Sequence, residues 1–341
     1  MAAITLAQAG ALPLLIDRDE VVGDALCGGF LSWRSAESLR ATGVDLAAIG
    51  AHPVHRLALI AGEREGAASL PSPGFGLSRR ALDGALRRRA VDAGARLEID
   101  RARAVRPGLV EGEACEWPAQ DIFLATGKHD VRGEARPRVA GDPALGLRIR
   151  LPPRDGLRAM LAGRIELHLF EGGYAGVVLQ EDGTANVCLA LRKSLLASAG
   201  GDPRALLDQL AGEHPRFAER MAFAPPELAI DSVGSVPYGW IARSTGEGIY
   251  RLGDQAAVIP SLAGEGMAIA MTSGAAAARA WLAGDSAPRF QQAFARRAMR
   301  PVRTAELVWQ IAERPAGGSA LALLTAGVPA LARAAMALTR I

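Results

Sequence analysis

The sequence of 341 residues is poor in cysteine and in lysine, and each shortage argues against a class of function. Its three cysteines, Cys27, Cys115 and Cys188, lie far apart, with no CxxC pair and no histidine pair at metal-ligand spacing. This pattern argues against a zinc site or a disulfide framework and predicts a cytoplasmic protein. Lys128 and Lys193 are the only lysines, so the net charge of +3 rests on scattered arginines and indicates no nucleic acid partner.

The sequence also lacks a long uninterrupted hydrophobic run. Near the N-terminus, the charged residues DRDE at positions 17–20 interrupt the apolar residues, so we expect no secretion signal. Pro329 and Arg333 divide the C-terminal stretch GGSALALLTAGVPALARAAMALTRI, which falls short of the ~20 apolar residues that span a bilayer. We therefore expect no transmembrane segment but a helix pair packed on the body of the protein. A helix that lines an apolar pocket or contacts a membrane surface is the alternative.

A third absence is the first half of a nucleotide-binding unit. Residues 2–9 have the pattern of an amphipathic helix that Gly10 ends, and residues 13–16 that of a buried strand ending at Asp17. Helix, turn and strand form the second half of a βαβ unit, but the preceding strand and its GxGxxG turn are missing. We interpret residues 1–10 as the end of a phosphate-binding helix and Met1 as internal or a late start, with roughly 15 residues missing. True degeneration is the alternative.

In the first 126 residues, patterns of helix and strand alternate. Residues 79–93 place apolar side chains at steps of four, which predicts a helix, and residues 95–99 and 121–126 have the composition of short strands. Helices and strands that alternate in this way favour an α/β layer with a parallel sheet. Half of the residues are hydrophobic, enough for a sizeable core in two lobes.

The middle of the chain has a different pattern. Residues 165–170, 174–180 and 185–191 form three consecutive strand-like runs, and hairpin residues separate them. They predict an antiparallel meander. The α/β pattern resumes at Ile249 with a short strand. We therefore predict a discontinuous domain of residues 1–140 and 240–285, interrupted by an antiparallel-sheet domain of residues 141–239 and followed by a helical segment of residues 286–341.

The segment GIYRLGDQAAVIPSLAGEGMAIAMTSG carries the clearest chemistry. Its strand delivers Gly253 and Asp254, so a carboxylate at the strand's end can accept hydrogen bonds from ligand hydroxyls. Residues 265–283 then form a helix whose free N–H groups favour partial negative charge. Gly264 and Gly266 allow a planar ligand to approach the backbone closely.

This segment resembles the second FAD fingerprint of flavoprotein monooxygenase-like proteins of the p-hydroxybenzoate hydroxylase fold, and specifically their geranylgeranyl reductase-type branch. The resemblance implies a Rossmann-like FAD-binding domain and an antiparallel-sheet substrate domain. It implies that Gly253 and Asp254 bind the ribityl chain of FAD and that Pro260 lies beside the isoalloxazine ring. It also places the flavin pyrimidine against the backbone of Gly264, Glu265, Gly266 and Met267.

Four further stretches resemble this branch in the same order. LLIDR resembles the end of the second strand, where Asp17, followed by Arg18, takes the adenosine ribose. GDALCGGFLS resembles a flavin-adjacent stretch and contributes Cys27, Gly28 and Gly29. The helix LSRRALDGALRRRA places Arg79 near FAD, and FLATGKHDVRG brings Ala125, Thr126 and Gly127 to the cofactor.

The sequence lacks three features that occur in branches of the family it resembles. The GxGxxG is absent from the N-terminus. Residues 125–130 stand where the hydroxylase branch carries an Asp-Gly pair linked to nicotinamide use, which weakens an aromatic-hydroxylase interpretation. The W-x-W-x-I-P stretch of flavin halogenases is missing as well.

Three residues are catalytic candidates, and each has a plainer interpretation. His168 alternates with Ile165, Leu167 and Leu169, and it could donate a proton to substrate if its face roofs the flavin; otherwise it is an ordinary sheet residue. Tyr238 could do the same or belong to the core. Cys27 is either a site residue near the flavin or a small apolar residue.

The resemblance implies an FAD-dependent oxidoreductase that reduces a double bond in, or hydroxylates, a largely apolar small molecule held under the antiparallel sheet. NAD(P)H or another reductant would supply the electrons. The alternative is a degenerate or truncated non-catalytic homologue that does not hold FAD. Because the GxGxxG is absent, we expect the chain as given to bind FAD poorly.

Overall fold

Strands and helices alternate along most of the chain. The computed structural model describes residues 1–137 and 141–341. Within these ranges the strands are β1 (Leu14–Asp17), β2 (Phe30–Leu31), β3 (His52–Ala61), β4 (Arg64–Gly76), β5 (Arg96–Ile99), β6 (Ala104–Arg106), β7 (Leu109–Glu111), β8 (Glu116–Pro118), β9 (Ile122–Leu124), β10 (Ala144–Leu151), β11 (Arg164–Phe170), β12 (Gly173–Leu179), β13 (Ala185–Arg192), β14 (Asp231–Val236) and β15 (Ile249–Arg251). The α-helices of the same ranges are α1 (Ala2–Gln8), α2 (Trp33–Ala41), α3 (Arg79–Asp92), α4 (Asp155–Leu161), α5 (Lys193–Ser198), α6 (Pro203–Glu213), α7 (Pro215–Met221), α8 (Gly266–Leu282), α9 (Ala287–Ala312), α10 (Pro315–Gly327) and α11 (Pro329–Leu338).

The largest sheet has eight strands in the order β14-β10-β13-β12-β11-β3-β4-β2. The predicted antiparallel meander is confirmed, because β11 pairs with β12 and β12 with β13, both in antiparallel register. Side chains alternate between the two faces of these strands. Ala175, Val177 and Leu179 of β12 pack in a core that α4, α6 and α7 cover, whereas Tyr174 and Gly176 of the same strand face a central cavity.

Strands β3 and β4 belong to this sheet, although residues 52–76 lie in the range predicted for the FAD-binding domain. β3 pairs in parallel with β11, and β4 pairs with β3 in antiparallel register. Only tertiary structure brings β3 to β11, since two helices, several strands and long loops separate them in the chain. The division into domains stays a prediction, and its boundary at residue 140 lies outside the described residues.

The α/β layer contains two separate pairs of parallel strands. β1 pairs with β5, and β9 pairs with β15. The helix, turn and strand predicted at the start of the chain are confirmed, since α1 ends at Gln8 and β1 ends at Asp17. Parallel strands direct their carboxyl ends to one edge of a sheet. The loops that follow both pairs line the same central cavity.

Helix α8 crosses behind this cavity and packs closely on α1. The approach depends on Gly274, because a Cβ atom at this position would lie 3.1 Å from the backbone nitrogen of Ala2. The small side chains of α8 continue into a core with α9, where Ala277, Phe290 and Phe294 are buried. The packing holds the N-terminal end of α8 at the cavity.

The C-terminal helices α10 and α11 form a roof over the apolar end of the cavity. α10 lies on β3 and β4, and a Cβ atom at Gly66 would meet the carbonyl oxygen of Ala322 at 2.0 Å. Pro329 begins α11, so the helix pair expected on the body of the protein is present. Within the described ranges no single helix has the length and apolar character needed to cross a membrane. The pair α10 and α11 meets that test only jointly, with a bend of 113°.

Candidate active site

A cavity of about 1830 Å³, here called the central cavity, lies between the large sheet, the two parallel strand pairs and the C-terminal helices. One half is apolar, with walls from β3, β11, α10 and α11 that include Leu57, Leu59, Leu167, Leu169, Leu321 and Met336. The other half is polar and is lined by the loops that follow β1, β9 and β15. A ligand that is polar at one end and apolar at the other matches this division.

Most of the residues expected to hold a flavin or to act in catalysis line the central cavity. They are Asp17, Arg18, Cys27, Gly28, Gly29, Arg79, Thr126, Gly127, Tyr238, Gly253, Asp254, Gly264, Gly266 and Met267. The structure therefore brings together segments that lie far apart in the chain. His168, Pro260 and Glu265 are the expected residues that do not line this cavity.

The turn after β15 presents Asp254 to the cavity. Gly253 has a φ of 55°, and its N–H donates a hydrogen bond to Ser273 Oγ of α8 at 2.8 Å. A Cβ atom at Gly253 would stand 3.3 Å from Ala270, so the turn packs tightly against the helix. Among the described residues, no side-chain donor binds the Asp254 carboxylate. Its oxygens are available to the hydroxyl groups of a ligand.

The turn that opens α8 is shaped for a close approach. Gly264 has a φ of 67°, and a Cβ atom there would lie 2.9 Å from the ring of Phe30. Gly266 is the first helical residue, and a Cβ atom there would meet no atom of the described residues within 4 Å. Gly266 and Met267 line the cavity, so the start of α8 borders free space. A planar ring that carries partial negative charge can lie against the first N–H groups of α8.

Glu265 points away from this space. Its fully buried carboxylate forms an ion pair with Arg340, which also donates a hydrogen bond to the carbonyl oxygen of Ala263 at 3.0 Å. Arg340 lies 4.4 Å from the ring centre of Trp33. Burial raises the pKa of Glu265 and lowers that of Arg340, while each charge opposes the shift of the other. Only the backbone of Glu265 belongs to the turn, and the sequence offers no signal for its contact with Arg340.

Pro260 is buried directly before the 3-10 turn Ser261–Ala263. The residue that follows it, rather than Pro260 itself, reaches the central cavity. The expected place of Pro260 beside a flavin ring stays a prediction. Pro260 shapes the loop, since its φ of −52° starts the turn.

Asp17 ends β1 at the far side of the polar half. Its carboxylate accepts hydrogen bonds from Arg87 Nη1 at 3.3 Å and from the Asp19 N–H at 3.2 Å. Arg87 also donates to the carbonyl oxygens of Asp19 and Glu20, which fixes the loop after β1. Arg18 pairs with Asp19 at 3.0 Å. Arg87 lies on α3, and nothing in its local sequence distinguishes it from the neighbouring arginines.

Arg79 begins α3 at the edge of the cavity and pairs with Asp83 at 2.6 Å. Burial lowers the pKa of Arg79, but the Asp83 carboxylate outweighs this effect and raises it above its usual range. The N–H of Arg79 donates to Asp24 Oδ1 at 2.9 Å. This contact ties the start of α3 to the loop that carries Cys27 and its two glycines.

Cys27 is half-buried beside Gly28 and Gly29, and Asn186 of β13 donates a hydrogen bond to its carbonyl oxygen at 3.0 Å. A Cβ atom at Gly29 would lie 2.7 Å from the side chain of Gln180. Cys188 of β13 lines the same cavity. Burial raises the pKa of its thiol to about 12, so it stays protonated at neutral pH.

Thr126 and Gly127 form the turn after β9. Thr126 Oγ1 donates to the carbonyl oxygen of His129 at 2.7 Å, and Gly127 has a φ of 61°. Gln255, which follows Asp254, donates to the carbonyl oxygen of Gly127 at 3.0 Å. The turns after β9 and β15 are therefore fixed to each other at the cavity edge.

His168 faces away from the cavity, so the condition for its catalytic role fails. Ile165, Leu167 and Leu169 of β11 line the cavity, and alternation therefore sends His168 to the opposite face, which α7 covers. There His168 Nε2 lies 3.0 Å from a carboxylate oxygen of the fully buried Glu166. His168 belongs to a buried ion-pair cluster and not to the site.

Tyr238 does reach the cavity, just after β14. Its hydroxyl lies 2.6 Å from Ser261 Oγ. Burial raises the pKa of Tyr238 to about 12, and the hydrogen bond with Ser261 opposes the shift. Of the three catalytic candidates, Tyr238 and Cys27 are the two that the structure places in the cavity.

The fold is shared with solved structures that include a flavin-dependent enzyme. The flavin-dependent brominase Bmp2 has the same fold, with a TM-score of 0.76, 16% identity, and coverage of 99% of this chain and 89% of that chain. A geranylgeranyl bacteriochlorophyll reductase-like protein from Thermoplasma acidophilum gives a TM-score of 0.73 at 19% identity, covering 95% of this chain and 88% of that one. The predicted α/β flavoprotein fold is confirmed.

The chain belongs to the digeranylgeranylglycerophospholipid reductase family. Digeranylgeranylglycerophospholipid reductase 1 from Methanopyrus kandleri is 31% identical over 310 residues, which cover 80% of this chain and 75% of that protein. Reductase 2 of the same organism is 29% identical over 306 residues, which cover 80% of this chain and 72% of that protein. No family model matches the sequence. The chain is thus an oxidoreductase of the branch that its motifs indicated.

Proposed function

We propose that this protein is an FAD-dependent reductase that saturates carbon–carbon double bonds in an isoprenoid chain of a lipid. The observation that carries the proposal is the continuity of the central cavity. The turns of Asp254 and Gly264 line its polar half, and α10 and α11 line the apolar half of the same cavity. The reductase relatives support the substrate class, because their names specify digeranylgeranyl lipids.

The residues of the polar half fit FAD. The Asp254 carboxylate suits the ribityl hydroxyls, and Asp17 suits the adenosine ribose. The space in front of Gly264 and Gly266 accepts a planar ring against the first N–H groups of α8, which stabilise negative charge on the pyrimidine. When bound, a reduced flavin supplies a hydride equivalent. The protein orients the substrate, excludes water and provides a proton.

The apolar half fits the isoprenoid chain. Leucines of β3, β11 and α10 surround this space, and an extended hydrocarbon gains about 25 cal/mol for each Å² that it buries there. Hydroxylation is the other reaction of this fold class, and both reactions need the same apolar pocket. We favour reduction because Tyr238 places a protonated phenol in the cavity. Electrons come from NAD(P)H or another two-electron reductant.

We also propose that the corner between α10 and α11 contacts the surface of an anionic membrane, with the body of the protein in the cytoplasm. Leu323, Leu324, Val328 and Leu331 are 55%, 50%, 47% and 53% exposed there. Leu324 and Leu331 also line the central cavity, so the exposed apolar surface continues into the substrate pocket. Residues 315–341 contain no acidic residue, which suits an anionic lipid surface.

The test of the proposed function has two steps. We expect purified protein to bind added FAD weakly, because the GxGxxG is absent, with binding measured as quenching of flavin fluorescence. At saturating FAD we expect it to reduce a geranylgeranyl lipid with dithionite or NADPH as electron source. The product gains two mass units for each double bond reduced. A folded, colourless protein that takes up no FAD would instead support the degenerate homologue. A hydroxylated product, heavier by 16 mass units, would show that the protein oxygenates its substrate instead of reducing it.

A further inference from the structure

Three hydroxyl groups meet on the cavity wall where its apolar and polar halves join. Tyr174 of β12 donates a hydrogen bond to Ser261 Oγ at 2.8 Å, and the Tyr238 hydroxyl lies 2.6 Å from the same oxygen. All three residues line the central cavity. We call them the hydroxyl trio. Only Tyr238 was a candidate from the sequence.

The trio has one proton more than it has internal hydrogen bonds. Three hydroxyls carry three protons, and two hydrogen bonds use two of them. The Tyr174 hydroxyl donates its proton in a hydrogen bond to Ser261 Oγ. The remaining proton therefore belongs to Ser261 or to Tyr238, depending on which of these two donates to the other. That proton has no acceptor within the trio. It is available to a ligand in the cavity.

The surroundings hold the two phenols rigid and protonated. Both tyrosine rings contact the edge or face of Trp309 in α9, with centroids 5.7 Å and 5.8 Å away. Leu59, Leu167 and Ala190 pack in the same apolar cluster. Burial raises the pKa of both tyrosines, so the phenol form predominates at neutral pH. A rigid acid in an apolar wall is placed to act on a hydrocarbon substrate.

We propose that the hydroxyl trio delivers the proton that completes reduction of the substrate double bond. This inference rests on the proposed function. As the π bond breaks, one carbon forms a bond to the hydride from the reduced flavin, and the other carbon forms a bond to the unpaired proton of the trio. One negative charge stays on the trio, held by its two hydrogen bonds, until a proton from water replaces the one that was lost. The reductant is a two-electron donor that reduces the flavin before each turnover.

Within the trio the roles differ. Ser261 or Tyr238 donates the proton to the substrate, and Tyr174 is a positioning residue that acts through Ser261. The loss of the Ser261 hydroxyl removes both internal hydrogen bonds at once. Threonine keeps that hydroxyl, so Ser261→Thr is the conservative variant that rescues the function.

The test compares single-turnover reduction in FAD-loaded, dithionite-reduced protein carrying Ser261→Ala, Ser261→Thr, Tyr174→Phe or Tyr238→Phe. Tyr250→Phe is the matched control, because the Tyr250 hydroxyl donates to the carbonyl oxygen of Asp285 and does not line the cavity. We expect Ser261→Ala and Tyr238→Phe to slow reduction by about 10²-fold or more with little change in substrate affinity. We expect Ser261→Thr to retain most of the rate, and Tyr250→Phe to retain it fully.

A second readout needs no turnover. The sequence contains three tyrosines, so protein labelled with 3-fluorotyrosine gives three ¹⁹F NMR signals. We expect Ser261→Ala to move the signals of Tyr174 and Tyr238 and to leave that of Tyr250 unchanged. Unmoved signals contradict the trio itself. Moved signals with undiminished reduction rates overturn proton delivery and leave the proposed function standing. An unmodified protein that fails to reduce any prenyl lipid overturns both the proton delivery and the proposed function. This measurement is made before any variant is tested.

Discussion

Arg340 and Glu265 form a buried ion pair that fixes the end of the chain to the turn that opens α8. Their side chains are 2% and 0% exposed. Arg340 follows α11, which has no buried residue of its own, whereas Thr339, Arg340 and Ile341 are buried. The roof over the substrate pocket is therefore attached at the turn proposed to face the flavin.

We predict that Arg340→Ala costs about 3–5 kcal/mol in the free energy of unfolding, because it leaves a buried carboxylate unpaired. It should also weaken FAD binding at least tenfold. Denaturant unfolding and FAD titration measure the two effects. Arg333→Ala removes an exposed arginine of α11, the helix that precedes Arg340, and is the control. The double variant Arg340→Met with Glu265→Gln should recover much of the stability, and a double variant as unstable as Arg340→Ala would contradict the ion-pair account.

Gly264 and Gly266 give a matched pair of substitutions. Gly264→Ala places a Cβ atom 2.9 Å from Phe30 at a positive φ, so we expect a lower melting temperature. Gly266→Ala meets no neighbour and favours the helix, so the fold should be unharmed or stabilised by about 0.5–1 kcal/mol. Its methyl group nevertheless enters the space proposed for the flavin. Full FAD affinity in Gly266→Ala would place the flavin elsewhere.

Asp254→Asn tests the proposed ribityl contact. The loss of a charged hydrogen-bond acceptor should weaken FAD binding by about 10-fold to 100-fold, equivalent to about 1.5–3 kcal/mol. The control is Asp208→Asn, since Asp208 is an exposed residue of α6 far from the cavity lining. Equal FAD affinities in the two variants would remove Asp254 from the site.

How far the sequence predicts the molecule depends on how local each feature is. The turns of Asp254 and Gly264 could be predicted because a strand end, two glycines and a helix start lie within one short segment. The Arg340 contact could not, since it joins the last turn of the chain to α8. The role of His168 depended on which face of β11 meets the cavity, and alternation alone does not decide that. The pairing of Tyr174 with Ser261 likewise requires β12 and the loop before α8 to be brought together by the fold.

The His168 cluster makes a prediction about acid stability. Burial would raise the pKa of Glu166, but hydrogen bonds from His168 and Arg220, together with their charges, lower it to about 2. Arg164 also faces this carboxylate at 2.8 Å. A carboxyl whose pKa is depressed on folding stabilises the protein above its unfolded-state pKa and loses that contribution as the pH falls toward the folded-state value.

We therefore expect the free energy of unfolding to fall by about 3 kcal/mol between pH 5 and pH 2 through this group alone. Glu166→Gln should unfold more easily at pH 7 and should lose that part of the pH dependence. Glu219→Gln is the control, because Glu219 pairs with the same Arg220 but is 48% exposed. The same pH slope in Glu166→Gln and the unmodified protein would contradict this assignment.

The exposed leucines of α10 and α11 lead to a prediction about membranes. We expect the protein to sediment with phosphatidylglycerol vesicles, and Leu323→Glu to reduce binding more than tenfold by adding charge to the apolar surface. Met160→Glu is the control, since Met160 is 38% exposed on α4, which covers the opposite face of the large sheet. Equal loss of vesicle binding in both variants, or no vesicle binding by the unmodified protein, would contradict membrane contact through the corner between α10 and α11.

The most direct test of the central claim is an anaerobic mixing experiment. Protein carrying dithionite-reduced FAD is freed of excess dithionite and mixed with a geranylgeranyl lipid, and the absorbance near 450 nm is followed. The account predicts that the oxidised flavin band returns as the lipid gains two mass units per double bond. A flavin that stays reduced while the lipid is unchanged, in protein shown to have bound both, would contradict it.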